Sequence, residues 1–258
     1  MEITVTNLAT TAVKGTRLRN VEAIELDRSG ARGNRVFYVI DARDRLINGK
    51  GCGGLQAVLA DYDDDAHTLK MTFPDGTELA GTIELGPETQ TRFFSRAAEG
   101  RLVVGPWADA LSEHLGQPLR LVESDVGVDR GLRGAASLIS HASLTRLADV
   151  GGQEDLDPRR FRMLIQVDGV EAHAEDRWVG REARVGEALL RFNGHVGRCL
   201  ITSRDPDTGK VDLPTLEFLG EYRRELEFQP TEPLPFGIYG EVLEPGAVRV
   251  GDAVSISG

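Results

Sequence analysis

The stretch of sequence that decides the fold is residues 195–209, HVGRCLITSRDPDTG, which carries a cysteine and ends in a turn. Asp205, Pro206 and Gly209 predict that turn, because proline fixes φ, aspartate binds nearby backbone amides and glycine permits positive φ. Apolar residues on either side, at 188–192 and 200–202, predict short strands. Cys199 is therefore expected at the start of a strand.

Cys199 is also the candidate reactive residue. Arg198 lies beside it and favours the thiolate, which is the form that attacks electrophiles and binds soft metals. A single cysteine is more often a small buried hydrophobic residue. The residues alone leave both interpretations open.

Composition restricts the class of function. The chain has 258 residues, 40% of them hydrophobic, which suffices for one large domain or two smaller ones. A net charge of −11 argues against nucleic acid or an anionic membrane as the main partner. Two cysteines make no disulfide framework, and neither a secretory signal nor a bilayer-spanning run is visible, so we expect a cytoplasmic protein.

Short apolar runs between glycine and proline turns predict a mainly β protein in which strand exceeds helix. The run at 36–40 predicts a strand covered on both faces, and 69–73 with 79–83 predict a β-hairpin. Three helices are expected, at 107–115, 143–150 and 215–226. Ser140 or Ser143 would cap the second helix and Thr215 the third.

Residues 48–54, NGKGCGG, match the Gly-x-Gly-x-x-Gly pattern of dinucleotide-binding loops. The context differs, because the nearest clear strand ends at Ile40 and residues 55–60 are too few for the helix that should follow. The pattern therefore favours a flexible loop, in which Cys52 is a free thiol. A second glycine-rich loop is predicted at 125–134, as a lid or a plain connection.

Three arginines occur in four consecutive positions of this acidic chain, namely Arg159, Arg160 and Arg162. Such density indicates either an anion clamp or solvated pairs with Asp155 and Asp157, and the pattern does not separate the two. The five histidines show no zinc-type spacing, and no Gly-x-Ser-x-Gly elbow indicates a serine hydrolase.

The sequence Gly-Arg-Cys-Leu-Ile-Thr followed by Asp-Pro-Asp-Thr-Gly resembles the core motif of the MOSC domain, the molybdenum cofactor sulfurase C-terminal domain. Further segments appear in the order that family uses, at 138–144, 160–162, 175–178, 216–223 and 236–239. Residues 13–15 and 34–37 resemble its N-terminal partner domain. The resemblance implies a MOSC β-barrel over 123–258, packed with an N-terminal β-barrel-like domain over 1–122 and a few short helices.

The resemblance also implies a function, that of a molybdenum oxidoreductase similar to the amidoxime-reducing component, acting on N-hydroxylated or related small molecules. In that family a molybdenum-pterin cofactor is held by two dithiolene sulfurs and the motif cysteine, so Cys199 would be both metal ligand and catalytic residue. The cofactor-binding residues implied here are Lys14, Arg35, Ser143 and Arg162, and we add Arg198 beside the ligand. Lys14, Arg35, Arg162 and Cys199 are expected to converge on one pocket between the domains.

The chain departs from the family pattern at Met163-Leu164, where Pro-Asn is frequent, and at Val196, where a second cysteine is frequent. It has no ferredoxin-like cysteine set, so electrons are expected from a separate donor protein of ferredoxin or flavoprotein type. The alternative is a sulfur-transfer or cofactor-carrier protein, in which Cys199 holds a persulfide or a ligand without redox turnover.

Overall fold

The computed structural model describes residues 2–93, 96–124, 131–226 and 228–257, and strands dominate this part of the chain. Strand accounts for 44% and helix for 20%, which confirms a mainly β fold. The strands are β1 Ile3–Thr10, β2 Arg19–Val21, β3 Ala23–Asp27, β4 Gly30–Ala31, β5 Phe37–Asp41, β6 Leu46–Ile47, β7 Leu59–Asp63, β8 Thr68–Thr72, β9 Glu78–Thr82, β10 Glu84–Phe93, β11 Arg96–Val104, β12 Leu119–Ser124, β13 Ala136–Ser140, β14 Ile165–Asp168, β15 Glu182–Val185, β16 Ala188–Gly197, β17 Pro235–Glu244, β18 Gly246–Arg249 and β19 Ala253–Ile256. The α-helices are α1 Trp107–Leu115, α2 His141–Val150 and α3 Thr215–Tyr222, and 3-10 turns cover Gly53–Ala57, Gly131–Gly134, Pro158–Phe161, Ala174–Trp178 and Leu200–Ser203.

Seven strands close into a barrel in the order β14, β13, β17, β16, β15, β19 and β1, and β1 pairs back to β14. Closure leaves these strands without a free edge, and β2 extends the sheet beside β1. The interior is apolar and includes Leu8, Leu190, Phe192 and Ile238, all fully buried. Trp178 packs into the same core, as expected of an anchor residue.

Strands between Phe37 and Ser124, on both sides of α1 in sequence, build two further sheets, β10-β11-β12-β5-β6 and β7-β8-β9. Their shared core contains Phe37, Met71, Trp107 and Leu111, and α1 packs into it. The hairpin expected at 69–83 is β8 with β9, and the apolar run of β5 is buried at all of its first four residues. α1 ends at Gly116, whose φ of +66° suits a glycine that closes a helix.

The two sequence regions share strands. β1 lies in the barrel between β14 and β19, and β3 pairs with β18 near the end of the chain. Residues on the N-terminal side of Val122 therefore help to close the barrel. The division into two domains at Val122 stays a prediction.

α2 and α3 cover one side of the barrel through a third core of Leu144, Leu147, Phe161, Leu219 and Phe236. α2 begins after Ser140, whose Oγ accepts the Ser143 amide proton at 3.2 Å, so the predicted Ser140 cap is confirmed. Within the described residues, no helix is long and apolar enough to cross a lipid bilayer.

Two local predictions around Cys199 and α3 are wrong. Residues 200–202 form a 3-10 turn instead of a strand, because the amide and hydroxyl of Thr202 both donate to the Cys199 carbonyl at 3.1 Å. Thr215 is the first residue of α3 and does not cap it, since its hydroxyl bonds to Thr202 and Ser203 instead.

Candidate functional site

One of the predicted cofactor-binding arginines, Arg35, contacts the backbone of Arg162, and Arg162 in turn contacts the turn that contains Lys14. Arg35 Nη2 donates to the Arg162 carbonyl at 2.8 Å, and Arg162 Nη2 donates to the Thr16 carbonyl at 2.7 Å. The backbone of Lys14 lies in the same turn as Thr16, and its amide donates to the Phe37 carbonyl at 2.7 Å. Three segments that are distant in sequence thus meet at these cations.

The two arginines are held in an unfavourable electrostatic environment. Although both keep some exposure to solvent, burial lowers the pKa of Arg162 to about 10. Burial, and secondarily the charge of Arg162, lowers the pKa of Arg35 to about 9. Both side chains remain protonated at pH 7, so two like charges lie close together.

The backbone at these arginines is also strained. Arg35 has φ +55° and Arg162 has φ +54°, in the left-handed region that side chains other than glycine rarely adopt. The Arg35 amide donates to the Thr11 carbonyl at 2.7 Å, and the Arg162 amide donates to the Arg159 carbonyl at 3.1 Å. Strain of this kind concentrates at functional sites, which favours a binding role for both residues.

The other arginines of the 159–162 cluster are neutralised by carboxylates. Arg159 Nη2 contacts Asp157 Oδ2 at 2.6 Å and Arg159 Nη1 contacts Asp207 Oδ1 at 2.9 Å. Arg160 Nη2 contacts Asp212 Oδ2 at 2.5 Å. Among the described residues, no carboxylate lies within ion-pair distance of Arg162. The predicted pairing with Asp157 is thus confirmed for Arg159, and an anion-binding role for Arg162 stays a prediction.

Asp207 links the turn that follows Cys199 to the cation segments. Its carboxylate lies 3.5 Å from Arg17 Nε and binds Arg159, and its backbone carbonyl accepts from Arg17 Nη2 at 2.9 Å. The Arg159 guanidinium lowers the pKa of Asp207, so this junction stays charged at neutral pH. The Cys199 turn and the segments of Lys14 and Arg162 are thereby joined at one point.

The glycine-rich loop packs against the same turn, and this explains its glycines. A Cβ added to Gly53 would lie 2.1 Å from the Gly209 carbonyl oxygen, and one added to Gly209 would lie 1.8 Å from the Gly53 oxygen. Arg204 Nη1 also donates to the Gly209 carbonyl at 2.8 Å. The interpretation of 48–54 as a loop fits this contact, in which the glycines permit close packing of two backbones.

Cys199 is partly buried, and its carbonyl accepts the two bonds from Thr202. Cys52 is likewise a free, partly buried thiol in the glycine-rich loop. Within the described residues, no group of three or more His, Cys, Asp or Glu side chains could hold a metal ion by itself.

Arg198 holds backbone carbonyls around the cation site. Nη1 donates to the Phe161 carbonyl at 2.7 Å and Nε donates to the Phe236 carbonyl at 2.8 Å, and the guanidinium lies over both aromatic rings. The Phe161 carbonyl immediately precedes Arg162. Arg198 therefore connects Cys199 to the segment of Arg162, and its direct contact with a cofactor stays a prediction.

Ser143 lies in a separate buried network. Its hydroxyl donates to Glu175 Oε1 at 2.7 Å and accepts the His173 amide proton at 2.8 Å. Ser140 donates both its amide and its hydroxyl to the same carboxylate. Burial raises the pKa of Glu175. A phosphate contact of Ser143 stays a prediction, since the structure gives its hydroxyl these protein partners.

The sequence that forms the barrel and the turn around Cys199 is similar to that of known proteins. A family model for the MOSC domain matches residues 114–255. The chain belongs to the MOSC domain family. The loop predicted at 125–134 falls within that match, but residues 125–130 lie outside the described part of the chain.

Relatives of this MOSC chain include the mitochondrial amidoxime-reducing component 1 of Homo sapiens, 34% identical over 47% of the chain and 36% of that protein. The alignment thus spans little more than a third of the human protein. Mitochondrial amidoxime reducing component 2 of Bos taurus is 28% identical over 97% of the chain and 82% of that protein. Among solved structures, the YUAD protein from Bacillus subtilis aligns over 99% of the chain and 96% of its own, at 13% identity and a TM-score of 0.49. The resemblance to the MOSC family and to amidoxime-reducing components is confirmed.

The convergence of Lys14, Arg35, Arg162 and Cys199 on one pocket stays a prediction, and the residue types fit a cofactor that carries both a phosphate and a thiophilic metal. Two costly, partly buried guanidinium groups suit a phosphate, and a cysteine thiol suits the metal. Sequence reasoning missed the partners that hold this MOSC site in shape, namely Thr16, Asp207 and Thr215. Asp207 was visible as a turn residue, but nothing in the sequence indicated that it would pair with Arg17 and Arg159.

Proposed function

We propose that this protein is a molybdenum-cofactor-binding oxidoreductase that reduces N-hydroxylated or related N–O compounds with electrons from a separate donor protein. The observation that carries the proposal is the arginine pair. Arg35 and Arg162 remain charged, adjacent and backbone-strained, in a chain whose Cys199 lies within the region that matches the MOSC domain. A phosphate suits two adjacent guanidinium charges, and a thiol suits a soft metal.

Each residue has a separate role in this proposal. Lys14, Arg35 and Arg162 bind the phosphate of the molybdenum-pterin cofactor, and the Cys199 thiolate holds the metal. When bound, the cofactor supplies two-electron oxygen-atom transfer chemistry. Arg198 orients the segment of Arg162 by holding the Phe161 carbonyl.

The donor and the substrate are proposed from the relatives. Their names describe amidoxime-reducing components, and the word component is consistent with a donor on another chain. We therefore infer a donor protein of ferredoxin or flavoprotein type, and a small substrate with an N–O bond. A cytoplasmic location is proposed on the composition of the sequence.

Turnover with a chemical reductant tests this function without knowledge of the natural donor. The protein is produced in a host that makes the cofactor, and then incubated anaerobically with reduced methyl viologen and benzamidoxime. We expect benzamidine to form over many turnovers, and to be absent with Cys199→Ser. Protein that carries molybdenum but forms no benzamidine, and that instead passes its cofactor to an apoenzyme, would contradict the proposal in favour of the carrier function.

A further inference from the structure

A chain of three buried hydroxyl groups connects α3 to the residue proposed as the metal ligand. Thr202, Ser203 and Thr215 are 1%, 3% and 0% exposed. Thr215 Oγ1 lies 2.7 Å from Thr202 Oγ1 and 2.9 Å from Ser203 Oγ. Thr202 Oγ1 lies 3.1 Å from the Cys199 carbonyl oxygen.

The direction of this chain follows from counting protons. A carbonyl oxygen can only accept, so Thr202 Oγ1 donates its single proton to Cys199. The contact between Thr202 and Thr215 must then use the proton of Thr215. Thr215 has no second proton to donate, so the Ser203 hydroxyl donates to it. The arrangement that uses all three contacts runs from Ser203 to Thr215 to Thr202 to the Cys199 carbonyl.

Successive donation in one direction polarises each hydroxyl and strengthens the next bond. Thr215 is the middle of the chain, and it is fixed at the first turn of α3 by its own amide bond to the Leu213 carbonyl at 3.0 Å. The 3-10 turn that begins after Cys199 therefore has an attachment point outside its own segment. The Cys199 backbone, extended at φ −138° and ψ 178°, is held at its carbonyl end.

We propose that Thr215 is a positioning residue for Cys199, which fixes the turn that presents the thiol to a metal. The reason for holding Cys199 in place rests on the proposed function. The effect of Thr215 on the position of the thiol does not depend on a metal. The hydroxyl of Thr215 does not cap α3. Its bonds to Thr202 and Ser203 therefore serve the turn after Cys199 and not the helix. Loss of the hydroxyl loosens the turn and exposes the thiol more often.

The test measures alkylation of Cys199 by iodoacetamide in metal-free protein, in a Cys52→Ser background so that a single thiol reacts. Thr215→Val keeps the shape of the side chain and removes the hydroxyl. We expect its alkylation rate constant to rise roughly three- to tenfold, the range that loss of one buried hydrogen bond allows. Thr215→Ser keeps the hydroxyl and should react within about twofold of the parent.

Two further variants separate positioning from general destabilisation. Leu219→Val loosens the packing of α3 in the same core without touching the hydroxyl chain, and should leave the rate constant near that of the parent. Thr202→Val removes the last donor of the chain and serves if Thr215→Val does not fold, with the same expected rise. A graded series in which Ser203→Ala has the smallest effect supports the directed chain.

An unchanged rate in Thr215→Val, or an equal rise in Leu219→Val, would overturn the positioning role. A Thr215→Ser variant as reactive as Thr215→Val would do the same. These outcomes do not depend on whether the protein carries molybdenum. If the alkylation series behaves as expected but protein from a cofactor-producing host contains no metal, the proposed function fails while the positioning role of Thr215 stands.

Discussion

Replacement of Arg162 by glutamine should separate the stability of the protein from its hold on the cofactor. The lowered pKa of Arg162, about 10 against an ordinary 12.5, corresponds to a cost of at most about 3.4 kcal/mol for keeping the charge in the folded protein. The lost bond to the Thr16 carbonyl is charge-assisted and contributes about 1.5–3 kcal/mol in the opposite direction. The two effects nearly cancel, so we expect the cofactor-free variant to unfold within about 1–2 kcal/mol of the wild type.

In cofactor binding, no gain offsets the loss of the Arg162 charge. Loss of one charge-assisted phosphate contact should weaken binding by about 1.5–3 kcal/mol, or roughly 10- to 150-fold. The assay compares urea denaturation of cofactor-free protein with the pterin content of protein purified from a cofactor-producing host. Arg159→Gln is the matched control, because Arg159 lies in the 3-10 turn that immediately precedes Arg162 but is neutralised by Asp157 and Asp207.

We expect the control to keep its pterin and the Arg162 variant to lose most of it. Arg162→Gly adds a second comparison, since glycine relieves the left-handed backbone strain of about 1 kcal/mol while also removing the guanidinium. It should be more stable than Arg162→Gln and equally poor in pterin. Full pterin content in Arg162→Gln, or equal loss in Arg159→Gln, would refute the assignment of Arg162 to the phosphate.

Three other variants test separate parts of the account. Cys199→Ser replaces a soft ligand with a hard, mostly protonated one, so benzamidoxime reduction should fall at least about 100-fold while circular dichroism stays unchanged. Gly53→Ala forces a Cβ to within 2.1 Å of the Gly209 carbonyl, so it should lower the melting temperature and the pterin content, whereas Gly51→Ala meets no atom within 4 Å and should change neither. Glu175→Gln tests pH dependence: because burial raises the pKa of Glu175, its contribution to stability is fully present below its ordinary value of 4.5 and is lost as pH rises through the raised value. Urea denaturation should therefore show the variant gaining on the wild type as pH rises above 4.5, and a constant difference would contradict the buried carboxyl.

Much of the fold could be predicted from local patterns. The alternation at 69–73, the stop of α1 at Gly116 and the Ser140 cap are decided by residues that are neighbours in sequence. Closure of the barrel was implied by the resemblance alone. Pairing of β1 with both β14 and β19 joins residues about 160 and 250 positions apart, and no periodicity reports such a contact.

The candidate site could be predicted only as residue types. The three arginines in residues 159–162 are the same residue type with nearly the same sequence neighbours. Arg159 nevertheless pairs with Asp207, which lies 48 positions away, while Arg162 does not. Thr215 illustrates the same limit in another way. Its position before a helical pattern predicted a cap, but tertiary contacts with Thr202 and Ser203 provided better partners for its hydroxyl.

The central claim is that Cys199 and a phosphate-bound pterin together hold molybdenum in this protein. X-ray absorption at the molybdenum edge tests it directly, on wild type and Cys199→Ser purified from a cofactor-producing host. The account predicts three sulfur atoms around the metal in the wild type, two from the pterin and one from Cys199, and one sulfur fewer in the variant. An identical sulfur count in the two proteins, or the absence of molybdenum from the wild type, would contradict it.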